Sequence, residues 1–301
     1  MIIKRSIAGP ILGVGSAFIL IILMSILLVS KSPTFFDYSN YDAMMEMGTY
    51  YLRYQQEPIS MLTMYISRFL EEGAFGYYLI VWVLYLFSVM YISFWHYKNA
   101  WFTVSMFLLF NPLTIMAFLV PRHFMALTFL LWAIHLTRIR ALSFLGLTML
   151  VHNVLGLFAL YFMRLQIYST FIRMVLMVLG IIGFYYFMVV VYPGNMDLTK
   201  DQGRGQVVYA LLFLLVFYLL MFRKPEKYGF YIDSFFFILI LYFINPIAYR
   251  FFSLWIIMTF LYMVSKLKKR DSFLLIRGFT FLSVSFSFFI VVTGIYGYGP
   301  Q

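Results

Sequence analysis

The chain has 301 residues, of which 64% are hydrophobic, 22% aromatic and only 11% charged, and it carries a formal net charge of +11. Its mean hydropathy of +0.92 exceeds what any soluble domain needs, and its apolar runs reach the about 20 residues that a bilayer-crossing helix requires. The cation excess would point to nucleic acid in a soluble protein; here it belongs to cytoplasmic loops facing anionic lipid, and no nucleic-acid partner is expected.

Lys4 and Arg5 precede an apolar run over residues 10–30. That run is too long for a typical signal peptide and reads as an uncleaved first span starting inside. The loop 31–58 is then outside. It holds Asp37, Asp42, Glu46 and Glu57 among Tyr38, Tyr41, Tyr50, Tyr51 and Tyr54. Rings stack on sugar faces and carboxylates accept from sugar hydroxyls, so this mixture suits a hydroxyl-rich ligand. The plainer alternative is a solvated loop with an interfacial aromatic belt. Residues 58–70 are too few to cross and carry Arg68, which predicts a helix lying in the outer interface. Spans follow over 75–95, 101–120 and 124–137. Asn111-Pro112 predicts a kink or break in the second of these, and Pro121-Arg122-His123 the outer turn before the third.

Residues 141–163 are long enough for one span but split at His152-Asn153 into two short halves. A re-entrant hairpin from the inside is expected, because a single span would invert everything after it. The basic run Lys266, Lys268, Lys269 and Arg270 would then lie outside, against the positive-inside bias. A span over 167–192 leads to a second outer polar loop at 193–206. Further spans cover 207–222, 230–244, a stretch ending at 266, and 273–296, with Asn245-Pro246 to Arg250 as a short outer turn. The expected fold is an all-α polytopic membrane protein, a single integral membrane domain over 1–301. It has about nine transmembrane helices, a re-entrant hairpin and an outer interfacial helix.

Under this topology the outer face collects Arg122, His123, Lys200, Arg204 and Arg250, with His152 reaching it from the hairpin tip. Arginine forks match phosphate oxygens bidentately, so arginines from separate helices suit a pyrophosphate. Snorkelling to headgroups or pairing with outer carboxylates is the alternative. Arg122 and Arg250 each follow a proline break beside apolar spans, where a cation is costly without an anion or a water-filled cavity. No Asp or Glu occurs between Glu72 and Asp197, so any counter-ion for Arg122 comes from elsewhere in the fold. A lone histidine on an apolar segment is usually a packing residue, but the central position of His152 gives it a functional reading as well. His96 and His135 read as structural. The chain has no cysteine, HExxH, EF-hand loop, P-loop or GxGxxG, so no metal and no cofactor are indicated.

The segment FDYSNYDAMMEMGTYYLRYQQEPISML resembles the first outer loop of the EpsG family of polysaccharide-biosynthesis membrane proteins. That family has an Asp-Tyr-x-x-Tyr element and then Glu-Pro before an apolar stretch. PRHFMALTFLLWAIHLTRIRALSFLGLTMLVHNVLGL resembles its next signature, in which an arginine opens a helix and a histidine sits in a later apolar segment. Asn245-Pro246 through Arg250 resembles its later arginine region. The family has a more alanine-rich helix where this chain has His123 and aromatic residues.

The resemblance implies a Wzy-like O-antigen or exopolysaccharide polymerase at the periplasmic face of the bacterial inner membrane. Its donor and acceptor would be undecaprenyl-diphosphate-linked glycans, with a chain-length regulator as a protein partner and no metal. Arg122, His123, Arg204 and Arg250 would hold the diphosphate. Asp37, Glu57 or His152 would take the acceptor's proton, and Tyr38, Tyr41, Asp42 and Tyr54 would hold glycan. The rival readings are a flippase of lipid-linked oligosaccharide, which needs repeats that are not visible, and a membrane O-acyltransferase, whose donor would enter at inner loops that are short here. Cysteines introduced at Ser39, Asn195 and Gln301 should be labelled by an impermeant reagent in intact spheroplasts, and one at Ser272 should not; labelling at Ser272 overturns the orientation.

Overall fold

Proline, asparagine and glycine punctuate the apolar runs, and the helices start, stop or bend at them. The computed structural model describes residues 8–35, 38–46, 57–70, 72–165, 168–186, 188, 204–221, 225–266 and 270–293. Asp37, Tyr54 and most of the 193–206 loop lie outside these residues.

All the described elements are helices. The first part of the chain forms α1 (Ala8–Ser30), α2 (Tyr38–Glu46), α3 (Pro58–Phe69), α4 (Gly73–His96), α5 (Trp101–Phe110), α6 (Pro112–Phe118) and α7 (Pro121–His135). Then come α8 (Arg138–Val151), α9 (Asn153–Leu165), α10 (Thr170–Tyr186), α11 (Arg204–Met221) and α12 (Pro225–Ile244). A 3-10 turn, Pro246–Arg250, leads to α13 (Phe251–Lys266) and α14 (Arg270–Thr293).

Among the described residues, five helical stretches are long and apolar enough to cross a membrane: Val14–Thr34, Gly73–His96, Arg204–Met221, Ala248–Lys266 and Phe273–Thr293. The bent pair α5–α6 reaches the same length and apolarity only when its two helices are taken together. The protein is thus an all-helical, multi-pass membrane protein. Three further apolar helical stretches, Ile139–Val151, Thr170–Tyr186 and Gly229–Ile244, are shorter over the described residues. Helix α7 differs from expectation. It starts at Pro121, where proline's missing N–H costs nothing, so Arg122 and His123 stand in its first turn.

Side-chain contacts set the helix directions. Phe18 stacks on Phe94 and Trp101, whereas Phe35 meets Tyr78 and Phe118, so α1 runs antiparallel to α4. Tyr85 donates to the Leu108 carbonyl at 2.9 Å and Tyr78 to that of Leu119 at 3.0 Å, so α5–α6 returns antiparallel to α4. Trp82 stacks on Phe124, and Trp132 Nε1 donates to Ser88, so α7 is parallel to α4. Tyr209 bonds Ser283, and Phe213 meets Phe279, which makes α11 and α14 antiparallel. Helices α12 and α13 are antiparallel through Phe235–Phe252 and Tyr231–Tyr262. The ends that carry Arg122, Arg204 and Arg250 therefore come together, and that end is called the site end below. At the opposite end His135 Nδ1 donates to the Leu131 carbonyl and Nε2 accepts from Tyr97 O–H at 3.2 Å, beside His96.

Two breaks matter for function. At Asn111 the chain bends by 49°. Asn111 is fully buried and serves both sides of the break. Its Oδ1 accepts from the N–H groups of Leu113 and Thr114, and its Nδ2 donates to the Phe107 carbonyl and to Thr114 Oγ1. Interrupted backbone in an apolar bundle persists only when satisfied in this way. At His152 the chain turns so sharply that a Cβ on Gly156 would lie 2.6 Å from the Met149 Cα. Helix α8 thus climbs from the His135 end, and α9 goes back down with Phe158 against Phe251 and Tyr161 against Phe237. His152 is at the apex.

The bundle is polar inward and apolar outward in places where a soluble protein would be the reverse. Helix α3 buries Ser60, Thr63 and Ser67 while exposing Leu62, Ile66 and Phe69. Ser60 bonds Tyr77 at 2.7 Å, and Ser67 Oγ donates to the Gly73 carbonyl at 2.6 Å. Such a face is stable where the surroundings are hydrocarbon.

Gly156→Ala should destabilise the protein by about 1–3 kcal/mol, because the new methyl meets backbone that has no room to yield. Gly146→Ala, with open space around its Cβ, should be neutral or slightly stabilising. Thermal unfolding of both variants in one detergent separates these outcomes.

Candidate functional site

The site is assembled at one end of the bundle from segments far apart in sequence. Its framework is an aromatic cluster. Tyr41 of α2 is 3% exposed and packs between Tyr77 and Tyr78, and Tyr38 stacks on Tyr78. Tyr41 is therefore a packing residue rather than the open sugar platform expected from sequence, whereas Tyr38 is only partly buried. Asp42 is also differently employed: its Oδ1 accepts from the Ala74 N–H at 3.3 Å, beside Gly73 at φ +54°. It helps to cap α4, where four N–H groups otherwise lack helical partners.

Against this cluster stands an ion pair. Arg122 Nε donates to Tyr41 Oη at 3.1 Å, and one terminal nitrogen donates to Glu57 Oε2 at 2.9 Å. Glu57 immediately precedes Pro58, the first residue of α3. Burial works against the Arg122 charge, and the bonds to Tyr41 and Glu57 offset that cost. Sequence alone offered no nearby carboxylate for Arg122; the fold supplies one from 65 positions away. The Arg122 side chain remains 31% exposed.

His152, at the helix break, places Nδ1 3.9 Å from Glu57 Oε1, beyond hydrogen-bond range. That nitrogen is buried and has no partner. Burial first, then Arg250 and Arg122, hold the imidazole pKa below its ordinary value. His152 is therefore neutral, and its ring meets His123 edge-on at 5.7 Å.

The protonation of His123 follows from its neighbours. Ser253 Oγ lies 2.6 Å from the Arg250 carbonyl, which can only accept, so the serine's single proton is committed there. His123 Nε2 lies 2.9 Å from the same oxygen and must therefore be the donor. A neutral imidazole protonated at Nε2 presents a bare lone pair at Nδ1. That Nδ1 is buried and has no partner. His123 is thus a hydrogen-bond acceptor in waiting, which does not fit the phosphate-holding role expected of it from sequence.

Arg250 ends the 3-10 turn, and its carbonyl anchors the serine–histidine chain. Its Nε is buried without a partner, and no carboxylate pairs with it among the described residues. A gap of about 10 Å³ lies among His123, Gln206, Tyr249, Arg250 and Ser253, roughly one water in size. Arg204, exposed at the start of α11, sits two residues before the buried Gln206. Of the residues singled out in the sequence, Glu57, Arg122, His123, His152 and Arg250 come together. Ser253 and Gln206 were not anticipated. Ser253 does carry a readable signal, since a serine three residues after Arg250 can bond back to its carbonyl; Gln206 has none. Among the described residues no group of three or more His, Asp or Glu side chains could hold a metal.

No protein-family model, curated protein or solved structure matches the chain.

Removing either partner of the Arg122–Glu57 pair leaves a partly buried charge unmatched, so each single alanine variant should be less stable than the double variant's cost would suggest. A double-mutant cycle on thermal or denaturant unfolding should give a coupling of about 1–3 kcal/mol. Additive losses would mean that the pair does not organise the site.

Proposed function

We propose that the protein is a membrane glycosyltransferase of the Wzy-like polymerase type. It joins oligosaccharide repeat units carried on undecaprenyl diphosphate at the periplasmic side of a bacterial inner membrane. In this reading α7, α10 and α12 also cross the membrane, giving about nine spans. The α8–α9 hairpin enters from the cytoplasmic side, and the site end faces out. What supports the reading is one observation: Arg250 and His123, each with a buried nitrogen that has no partner, line the same small gap at the bundle end that holds the Glu57–Arg122 pair.

These groups match the needs of glycosyl transfer. The acceptor hydroxyl oxygen forms a bond to the donor's anomeric carbon as the bond from that carbon to the diphosphate oxygen breaks. The electron pair leaves with the lipid diphosphate. Arg250 meets that developing charge, with Arg204 at the rim and the outer edge of Arg122. The acceptor's proton passes to His123 Nδ1, whose tautomer already leaves that nitrogen open. Glu57 and His152 line the acceptor side, where the carboxylate accepts from sugar hydroxyls. A diphosphate is larger than the gap, and Tyr249 and Arg250 have to swing outward to admit it.

Purified protein supplied with lipid-linked repeat units should form ladders on a gel. Arg250→Ala should abolish them, and Arg250→Lys should impair them because the bidentate fork is lost. His123→Ala should lower turnover by about 10²–10⁴-fold, with little change in donor KM. Full ladders from a well-folded Arg250→Ala protein would overturn the proposal. A His123→Ala effect confined to KM would move the base to Glu57 or His152.

A further inference from the structure

A second feature lies away from the site and stands independently of how that site is read. Helices α1, α5 and α14 line an open-sided cavity of about 830 Å³ towards the end opposite the site. Its size falls within the about 300–1,000 Å³ typical of small-molecule pockets. The walls are mostly apolar, with Leu20 and Met24 from α1, Met106 from α5, and Val284 and Phe288 from α14. Five polar side chains, Asn99, Thr103, Arg277, Thr280 and Ser285, interrupt this lining, and two of them carry the argument. Thr280 is 4% exposed and lines the cavity, and its hydroxyl has no hydrogen-bond partner. Arg277 also lines it, one turn nearer the end of the bundle.

Arg277 has no ion-pair partner among the described side chains. Its guanidinium leans over the Phe273 ring at 4.7 Å, which turns it towards the helix end, as a snorkelling arginine does. From Arg277 to Phe288, α14 rises about 16 Å at 1.5 Å per residue. Half of a bilayer's hydrocarbon core is about 15 Å. The cavity therefore has the depth of one leaflet, a cation where headgroup phosphates lie, an orphaned hydroxyl just beneath, and an apolar lining below that.

We propose that this cavity is a specific site for an anionic phospholipid drawn from the leaflet at the Arg277 end. The lipid's phosphate pairs with Arg277, an ester oxygen accepts from Thr280, and one acyl chain fills the space between α1 and α14. The charge and the orphaned donor distinguish it from the exposed apolar surface elsewhere, which needs only unspecific lipid.

The test is lipid retention by the full-length protein, read by native mass spectrometry after equal additions of phosphatidylglycerol and phosphatidylcholine of matched chain length. The wild type should keep one phosphatidylglycerol in preference to phosphatidylcholine. Ser285→Trp, on the cavity wall, should lose the retained lipid, and Leu20→Trp fills the opposite wall should the first variant elute as aggregate. Arg277→Gln should still hold lipid but lose about fivefold of its preference for the anionic headgroup. Equal retention of the two lipids by the wild type, or undiminished phosphatidylglycerol on a monodisperse cavity-filled variant, would overturn the proposal. So would stronger retention of undecaprenyl phosphate, which would make the cavity a carrier-lipid site instead.

Discussion

The Arg122 guanidinium, bonded to Tyr41 and Glu57, holds the site end together. It joins the start of α7 to α2 and to the residue that opens α3. A cation at that depth is expensive without partners, so the three segments are fixed relative to one another by the need to satisfy it. The tyrosine cluster packs behind them, and Asp42 ties the same region to the first turn of α4. Everything that reaches the site from further along the chain meets this frame.

His152 and Arg250 arrive by irregular backbone. His152 is at the sharp turn between α8 and α9, and Arg250 ends a 3-10 turn. Helices spanning a bilayer satisfy their own backbone groups and present only side chains to their neighbours. Breaks are where a chain can put a carbonyl or a polar tip at an interior point, and the Arg250 carbonyl does this in setting Ser253 and, through it, the His123 tautomer. The site's chemistry is thus a consequence of where the helices stop.

At the opposite end His135 is satisfied on both nitrogens, and one Arg173 terminal nitrogen pairs with Asp233 at 2.6 Å while its Nε has no partner. At the site end, buried nitrogens of Arg250, His123 and His152 stay without partners. An unsatisfied buried polar group costs about 1–3 kcal/mol, and a cluster of them is the pattern expected where a ligand completes the bonding.

Hydropathy and charge by themselves determined the class of molecule and its rough order, because a bilayer demands long apolar helices and biases cations to one side. The Asn111 break and the turn at His152 were legible for the same reason, since proline and paired polar residues interrupt an apolar run visibly. The gathering of Arg122, His123, His152 and Arg250 followed from placing helix ends. What only the tertiary structure decided was the employment of each group. Nothing local in the sequence tells that Glu57 answers Arg122, that Asp42 caps α4, or that Tyr41 is buried between two other tyrosines. Those assignments depend on which long-range neighbour offers a donor or an acceptor, and that is a property of packed helices rather than of any one of them. The His123 tautomer is the clearest case: the ring is the same in any context, and a serine 130 positions away decides which nitrogen carries the proton.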